Sequence, residues 1–319
     1  NPPAQSDGKK ELPDALKDFD KALVQKIESD ILHHGQAVTF DDISGLEFAK
    51  KCVQELVCWP MLRPDIFTGL RALPKGLLLF GPPGMKTLIG KAIATQTGAT
   101  FFSISSSSLT SKWIGEGEAS VKTLFAVANY YQPSVVFIDE IDSLLCQRSS
   151  EENEATRRIK TEFLVQLDGA GTSSDAQVVI IGATNRPQEL DDAARRRLVK
   201  RLYVPLPDKG SRFLMLKNLL KNNRNCMSAN DFETVADRTD GFSGADISAL
   251  CTEAAMCPLR ELASRNMGGL QCLRESEVPP ISLHHFTEAR REVSASVSQV
   301  ELQKYVDWNE QYGTYRRME

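Results

Sequence analysis

Apolar positions follow two regimes along this chain. In residues 12–34, Leu16, Phe19, Leu23, Ile27 and Ile31 recur every three or four positions, which predicts one amphipathic helix docked on another element. From residue 76 the pattern changes. Short apolar, β-branched runs at 76–80, 100–104, 134–138, 178–182 and 201–206 alternate with helix-length segments of mixed polarity. Each run is apolar at consecutive positions, so both faces of the sheet must be covered. That predicts an α/β fold with a five-stranded parallel sheet between helices. After Pro207 the runs stop, and residues 209–292 read as helices with a cap at Ser243-Gly244-Ala245-Asp246. The predicted organisation is a linker and docking helix over 1–35, an α/β domain over 36–208, and a small helical domain over 209–319 that includes the last helix.

Composition narrows this picture a little. With 319 residues, 41% hydrophobic and 25% charged, the chain is long enough to bury two cores. A net charge of −4 argues against a surface that coats nucleic acid, so no direct sequence-specific contact with nucleic acid is expected, although a local basic channel stays open. There is neither a signal peptide nor an apolar run long enough to span a bilayer, so no membrane partner is expected. The seven cysteines are odd in number and lack a CxxC pair, which suits reduced structural thiols in the nucleus or cytoplasm. His34 and His284 lie far in sequence from any pair that would complete a zinc site. The chain opens at Asn1 and reads as part of a longer protein.

The candidate chemistry lies at the carboxyl ends of the predicted strands, where parallel sheets bind ligands. After the first strand comes Gly81-Pro82-Pro83-Gly84-Met85-Lys86-Thr87-Leu88. This is a phosphate-binding loop, G-x-x-x-x-G-K-[ST], with one residue missing. By itself it also suits a plain β-to-α turn. The third strand ends in Asp139-Glu140: the first carboxylate suits Mg²⁺, together with the Thr87 hydroxyl, and the second suits activation of water. An acidic helix cap is the bland alternative. The fourth strand ends at Asn185, whose amide suits a sensor of a γ-phosphate or starts a turn before Pro187. Arg195, Arg196 and Arg197 stand in a row before the fifth strand, either as a solvated basic patch or as a source of charge for a neighbour's phosphate.

Taken together these motifs resemble the meiotic clade of the AAA ATPases, the group of katanin, spastin and fidgetin. The match is carried by Asp42-Ile43-Ser44-Gly45-Leu46, by the stretch from Thr110 to Glu118, by Phe137 to Ser143, by Arg157 to Gly169, by Gly182 to Leu190 and by Gly241 to Asp246. The run from Ala194 to Pro207 points to the fidgetin-like branch. The resemblance implies a P-loop AAA domain with a helical lid, ATP and Mg²⁺ as cofactors, and a homo-hexamer with nucleotide between subunits. It implies that Ile43, Gly45, Gly244 and Ala245 surround the base, that Arg196 and Arg197 reach the adjoining subunit, and that Arg195 is structural. Lys112-Trp113-Ile114 matches the first pore loop, which grips an extended polypeptide; a flat aromatic and a lysine suit an acidic segment of any sequence. Arg157, Arg158 and Lys160 would belong to or follow the second pore loop, or form a solvated helical face. The last helix, with Val300, Leu302, Tyr305, Val306 and Trp308, resembles one that packs on a neighbouring subunit, or else closes its own domain. The implied protein substrates are acidic tubulin tails, as in microtubule severing, or a DNA recombinase, as in homologous recombination.

The chain departs from that family at its loop. Family members carry GPPGTGKT, whereas Met85 alone stands for Thr-Gly. The loop loses about 3.5 Å of contour, while hydrogen bonds tolerate only tenths of an ångström. A glycine that approaches phosphate closely is lost as well. Weakened nucleotide binding and little hydrolysis are expected. The residues do not distinguish a natural shortening from an introduced one.

Overall fold

The computed structural model describes residues 13–29, 31, 38–106, 109, 117–147, 154–169, 177–265 and 278–314. Five strands form one sheet: β1 (Gly76–Phe80), β2 (Thr100–Ser105), β3 (Ser134–Asp139), β4 (Val178–Thr184) and β5 (Lys200–Tyr203). Their order is β2-β3-β4-β1-β5, and every pairing is parallel. Each strand lies within a few residues of its apolar run.

The consecutive apolar positions serve two cores, because alternate side chains of a strand face opposite ways. Leu78, Phe80, Phe102, Val136, Ile138 and Ile180 pack on one face. There they meet α1 (Lys21–Ser29), α5 (Gly117–Tyr130) and α7 (Glu154–Gly169). Leu77, Leu79, Phe101, Phe137, Val179 and Ile181 face the other way. There they are covered by α2 (Glu47–Val53), which runs through a π turn (Gln54–Cys58) into α3 (Trp59–Leu62), and by α4 (Lys86–Thr97). Short helices α6 (Ile141–Leu145) and α8 (Asp192–Arg197) follow β3 and precede β5.

The predicted helix over 12–34 is a correction. Among the described residues of that span, α1 alone is a regular helix; Leu16 ends a 3-10 turn, and Ile31 has left the helix to form an antiparallel bridge with Phe102 on β2. Leu16, Ile27 and Ile31 are buried on the same core, so the sequence spacing reported burial and not one continuous helix.

Past Asp208 a third core gathers helices α9 (Lys209–Leu219), α10 (Ala229–Arg238), α11 (Gly244–Arg265) and α12 (Leu283–Glu292). Asp208 caps α9 by accepting from the Ser211 amide at 2.7 Å, and Ser228 with Asp231 makes a capping box on α10. The cap read at 243–246 is present: the Ser243 amide donates to Asp246 Oδ2 at 2.8 Å and the Asp246 amide to Ser243 Oγ at 3.2 Å.

The last helix, α13 (Gln299–Tyr312), leaves this helical domain and returns to the sheet. Trp308 sets its ring edge on Phe80 at 4.4 Å between centroids, and Tyr305 lies beside Tyr203. Tyr305 and Trp308 thus pack on the sheet of this same chain, whereas Val300 and Val306 stay exposed. Assigning the whole of 209–319 to one helical unit does not describe α13.

Candidate functional site

β1 ends at Phe80, and the chain turns through Gly81, Pro82, Pro83, Gly84 and Met85 into α4. Gly84 has φ 124°, and a Cβ there would lie 3.0 Å from the Ala245 amide nitrogen, so the first turn of α11 presses directly on the loop. Met85 fills the neighbouring space. It is 5% exposed, and its sulfur and the terminal methyl of Met215 flank Gly244. Gly45 packs equally closely on the helical domain; a side chain there would overlap Ser211. The Ile43 side chain is buried in the sheet core, leaving only its backbone for a ligand, and Leu88 packs against the same core.

Lys86 points back into the loop instead of outward. Its amine donates to Gly81 O at 2.8 Å, to Pro82 O at 2.7 Å and to Asn185 Oδ1 at 2.6 Å. Burial pulls its pKa down to about 8, against the attraction of Asp139 and Asp142. The Thr87 hydroxyl sits 3.4 Å from Asp139 Oδ2. A loop with Lys86, a strand-end carboxylate and a strand-end amide therefore converge from β1, β3 and β4.

Glu140 follows Asp139 in a left-handed conformation, φ 50°, which a non-glycine residue adopts only when held. The hold is visible: Ser106 Oγ donates to Glu140 O at 2.7 Å, and the Glu140 amide donates to Asp139 Oδ1 at 2.9 Å. This kink turns two adjacent carboxylates in different directions at the end of one strand.

Sequence reasoning missed three supports of this site. Asp142 accepts from the Thr184 hydroxyl at 2.6 Å, and that hydroxyl oxygen in turn accepts from the Arg186 amide at 2.8 Å. Tyr305 on α13 donates to Asn185 O at 2.6 Å. An acidic residue three places past Asp139 was a usable signal for Asp142. Nothing in the sequence linked Tyr305 to a residue 120 positions earlier.

The arginines separate into different surroundings. Arg195 lies over the Tyr312 ring at 4.7 Å and pairs with Asp192. Arg197 is held in a fork by Asp168, with Nη2 at 2.7 Å from Oδ2. Arg196 is exposed beside Gln147 and Asp191, and makes no hydrogen bond or ion pair among the described residues. Arg157 and Arg158 are exposed on α7, where Arg158 pairs with Glu154 at 2.6 Å. Lys160 departs from the solvated or pore-facing reading: it is 1% exposed, and its amine donates to Cys146 O at 2.9 Å. Lys112, Trp113 and Ile114 lie outside the described residues. The described cysteines are free thiols, and burial pushes those of Cys58 and Cys251 up to about 12, leaving them protonated.

The donor set fits a divalent cation, with a hydroxyl from Thr87 and a carboxylate from Asp139. Lys86 is committed to the loop's own carbonyls, and Met85 occupies the place next to the α11 N-terminus.

Residues 77–206 match the family model described as ATPase family associated with various cellular activities (AAA), and residues 230–277 match an AAA+ lid domain. The chain is 55% identical over 301 residues to fidgetin-like protein 1 of Rattus norvegicus, covering 94% of this chain and 44% of that protein. It is 49% identical over 302 residues to spastin of Rattus norvegicus, covering 93% of this chain and 52% of that protein. It therefore spans about half the length of the curated relatives it matches. Among solved structures, a FIGL-1 AAA domain aligns with TM-score 0.87 at 49% identity, covering 95% of this chain and 99% of that one. The same domain in complex with ADP aligns at 0.85 and 48%, covering 93% and 98%. A katanin structure described in terms of self-assembly aligns at 0.78 and 37%, covering 91% and 97%. This chain belongs to the AAA ATPases, within the group of fidgetin-like protein 1, spastin and katanin.

Proposed function

We propose that this chain is the motor module of a AAA ATPase that remodels a protein substrate threaded through the pore of a hexamer. The observation that carries this reading is the convergence of Lys86, Asp139 with Thr87, and Asn185 at the carboxyl ends of β1, β3 and β4, with the lid pressed on the loop. In this reading Thr87 and Asp139 hold Mg²⁺ when it is bound, which neutralises phosphate charge. Glu140 would orient and deprotonate water, and Asn185 would sense the nucleotide. Exposed Arg196 reaches a neighbouring subunit, and Arg197 does so only after leaving Asp168. Lys112-Trp113-Ile114 would grip the substrate, either acidic tubulin tails or a DNA recombinase, in the nucleus or cytoplasm.

A second reading is favoured by one specific geometry. Lys86 folded onto Gly81 and Pro82, with Met85 standing for two residues, suits a subunit that binds nucleotide poorly and joins or scaffolds assemblies without turning over ATP. A fluorescent-ATP titration with Mg²⁺, followed by turnover, separates the two. It compares this chain with a version in which Met85 is replaced by Thr-Gly. Equal binding and turnover in both establish a working motor. Binding confined to the restored version establishes the second reading for this chain, and binding in neither removes nucleotide from both.

A further inference from the structure

Glu261, His284 and Glu288 each turn one ligand atom toward a common point on the lid, and these atoms all lie within 4.8 Å of one another. Two helices bring them together. His284 and Glu288 are one turn apart on α12, and Glu261 comes from α11, 23 residues before His284. That separation is why the sequence reading left His284 without partners for a zinc site.

We infer that this cluster is a metal site for a divalent cation of the zinc class. Three arguments converge. An imidazole nitrogen with two carboxylates is a borderline donor set that suits Zn²⁺, Co²⁺ or Ni²⁺ better than the all-oxygen shells of Mg²⁺ or Ca²⁺, and three protein ligands leave a position for water. The His284 Nε2 to Glu288 Oε1 distance of 3.5 Å is too long for a good hydrogen bond, and a cation held by both side chains would satisfy them.

The third argument is support behind the cluster. His285 is buried, with its side chain 6% exposed, and its Nε2 lies 3.3 Å from Glu261 Oε1. Its other nitrogen faces the Ser282 amide at 3.0 Å. An amide can only donate, so Nδ1 accepts, and Nε2, which carries the hydrogen, faces the Glu261 carboxylate. The carboxylate is thereby oriented from behind, as ligating groups are in built metal sites. His284 and Glu288, at 67% and 44% exposed, leave the site open to an ion from solution.

Glu261 lies 17 residues beyond Gly244 on the same helix, about 26 Å along its axis, so the site is remote from the loop. A bound ion would tie α11 to α12 at the far end of the lid. The inference stands apart from the proposed function, because it needs neither nucleotide nor assembly.

The test is a titration of the whole chain with Co²⁺ alone and then Zn²⁺ alone, against His284→Ala and Glu288→Gln. Both substitutions are at exposed side chains, and circular dichroism checks that each variant folds. The expected result is one saturable site per chain and a Co²⁺ spectrum without a thiolate charge-transfer band. Affinity should fall at least about tenfold in each variant, and Zn²⁺ should raise the unfolding midpoint only in the parent chain. Unchanged affinity in the variants would overturn the inference. A thiolate band would also overturn it, because the metal would then sit on cysteine, as would the lack of saturable binding below about 100 μM.

Discussion

The buried amine of Lys86 makes a measurable commitment. Free in an unfolded chain this group holds its proton to about pH 10.5; in the folded protein burial pulls it to about 8. Between those values the unfolded state binds more protons than the folded one, so stability rises with pH across the interval. Below about pH 8 the cost of burying the charge is fully present, and by about pH 10.5 it is gone. The gap corresponds to about 3 kcal/mol, of which about 2 kcal/mol is recovered between about pH 7.5 and 9.5. With the side chain only 5% exposed, little solvent screening reduces this. The assay is urea unfolding of the parent chain and of Lys86→Met at both pH values. The stability of the parent minus that of the variant should climb by about 2 kcal/mol over this range. Taking the difference removes Cys58 and Cys251, whose raised pKa values act with the opposite sign above about pH 9. A difference that stays flat would mean that Lys86 is solvated, and the account of a lysine trapped in its own short loop would fall.

Other consequences are quicker to check. Trp308→Ala should cost about 3–5 kcal/mol by urea unfolding, since the ring is 7% exposed against Phe80; a loss under about 1 kcal/mol would detach α13 from the sheet. Tyr305→Phe removes one hydroxyl and should cost about 1 kcal/mol in the same assay, an unchanged midpoint showing that the bond to Asn185 is not made. In the version with Thr-Gly at position 85, Glu140→Gln should keep nucleotide binding while turnover drops by about 10²–10⁴. Undiminished turnover would remove Glu140 from the chemistry.

The strands were legible because consecutive apolar residues have one economical solution, a sheet covered on both faces, and β1 matches its run residue for residue. The residues at the strand ends were legible for a related reason: Asp139 follows its apolar run directly, Asn185 and Lys86 come within a few residues of theirs, and parallel strands end on the same side. Spacing fails where chain direction changes within a buried stretch. Leu16, Leu23 and Ile31 keep a helical interval, but Ile31 is fixed by a bridge to Phe102. Long-range partners were invisible for a different reason. Neither Tyr305 with Asn185 nor His284 with Glu261 is marked by local pattern, since each contact is made only when separate elements dock. The direction of Lys86 was hidden too, because a shortened loop announces lost reach without saying where the amine goes instead.

The two edges of the sheet are both dressed by the far ends of the described chain. Ile31 pairs with Phe102 along the outer strand β2, and beyond α13 the Thr314 amide donates to Arg201 O on the opposite edge strand at 2.9 Å while its hydroxyl accepts from the Arg201 amide at 2.7 Å. A bare parallel edge offers a ready template for another chain's strand. Trimming either end, by protease or by design, would thus do more than weaken the fold. It would uncover a sticky seam, and the product would be prone to clump strand to strand, a failure of solubility that an activity assay alone would misread as a failure of catalysis.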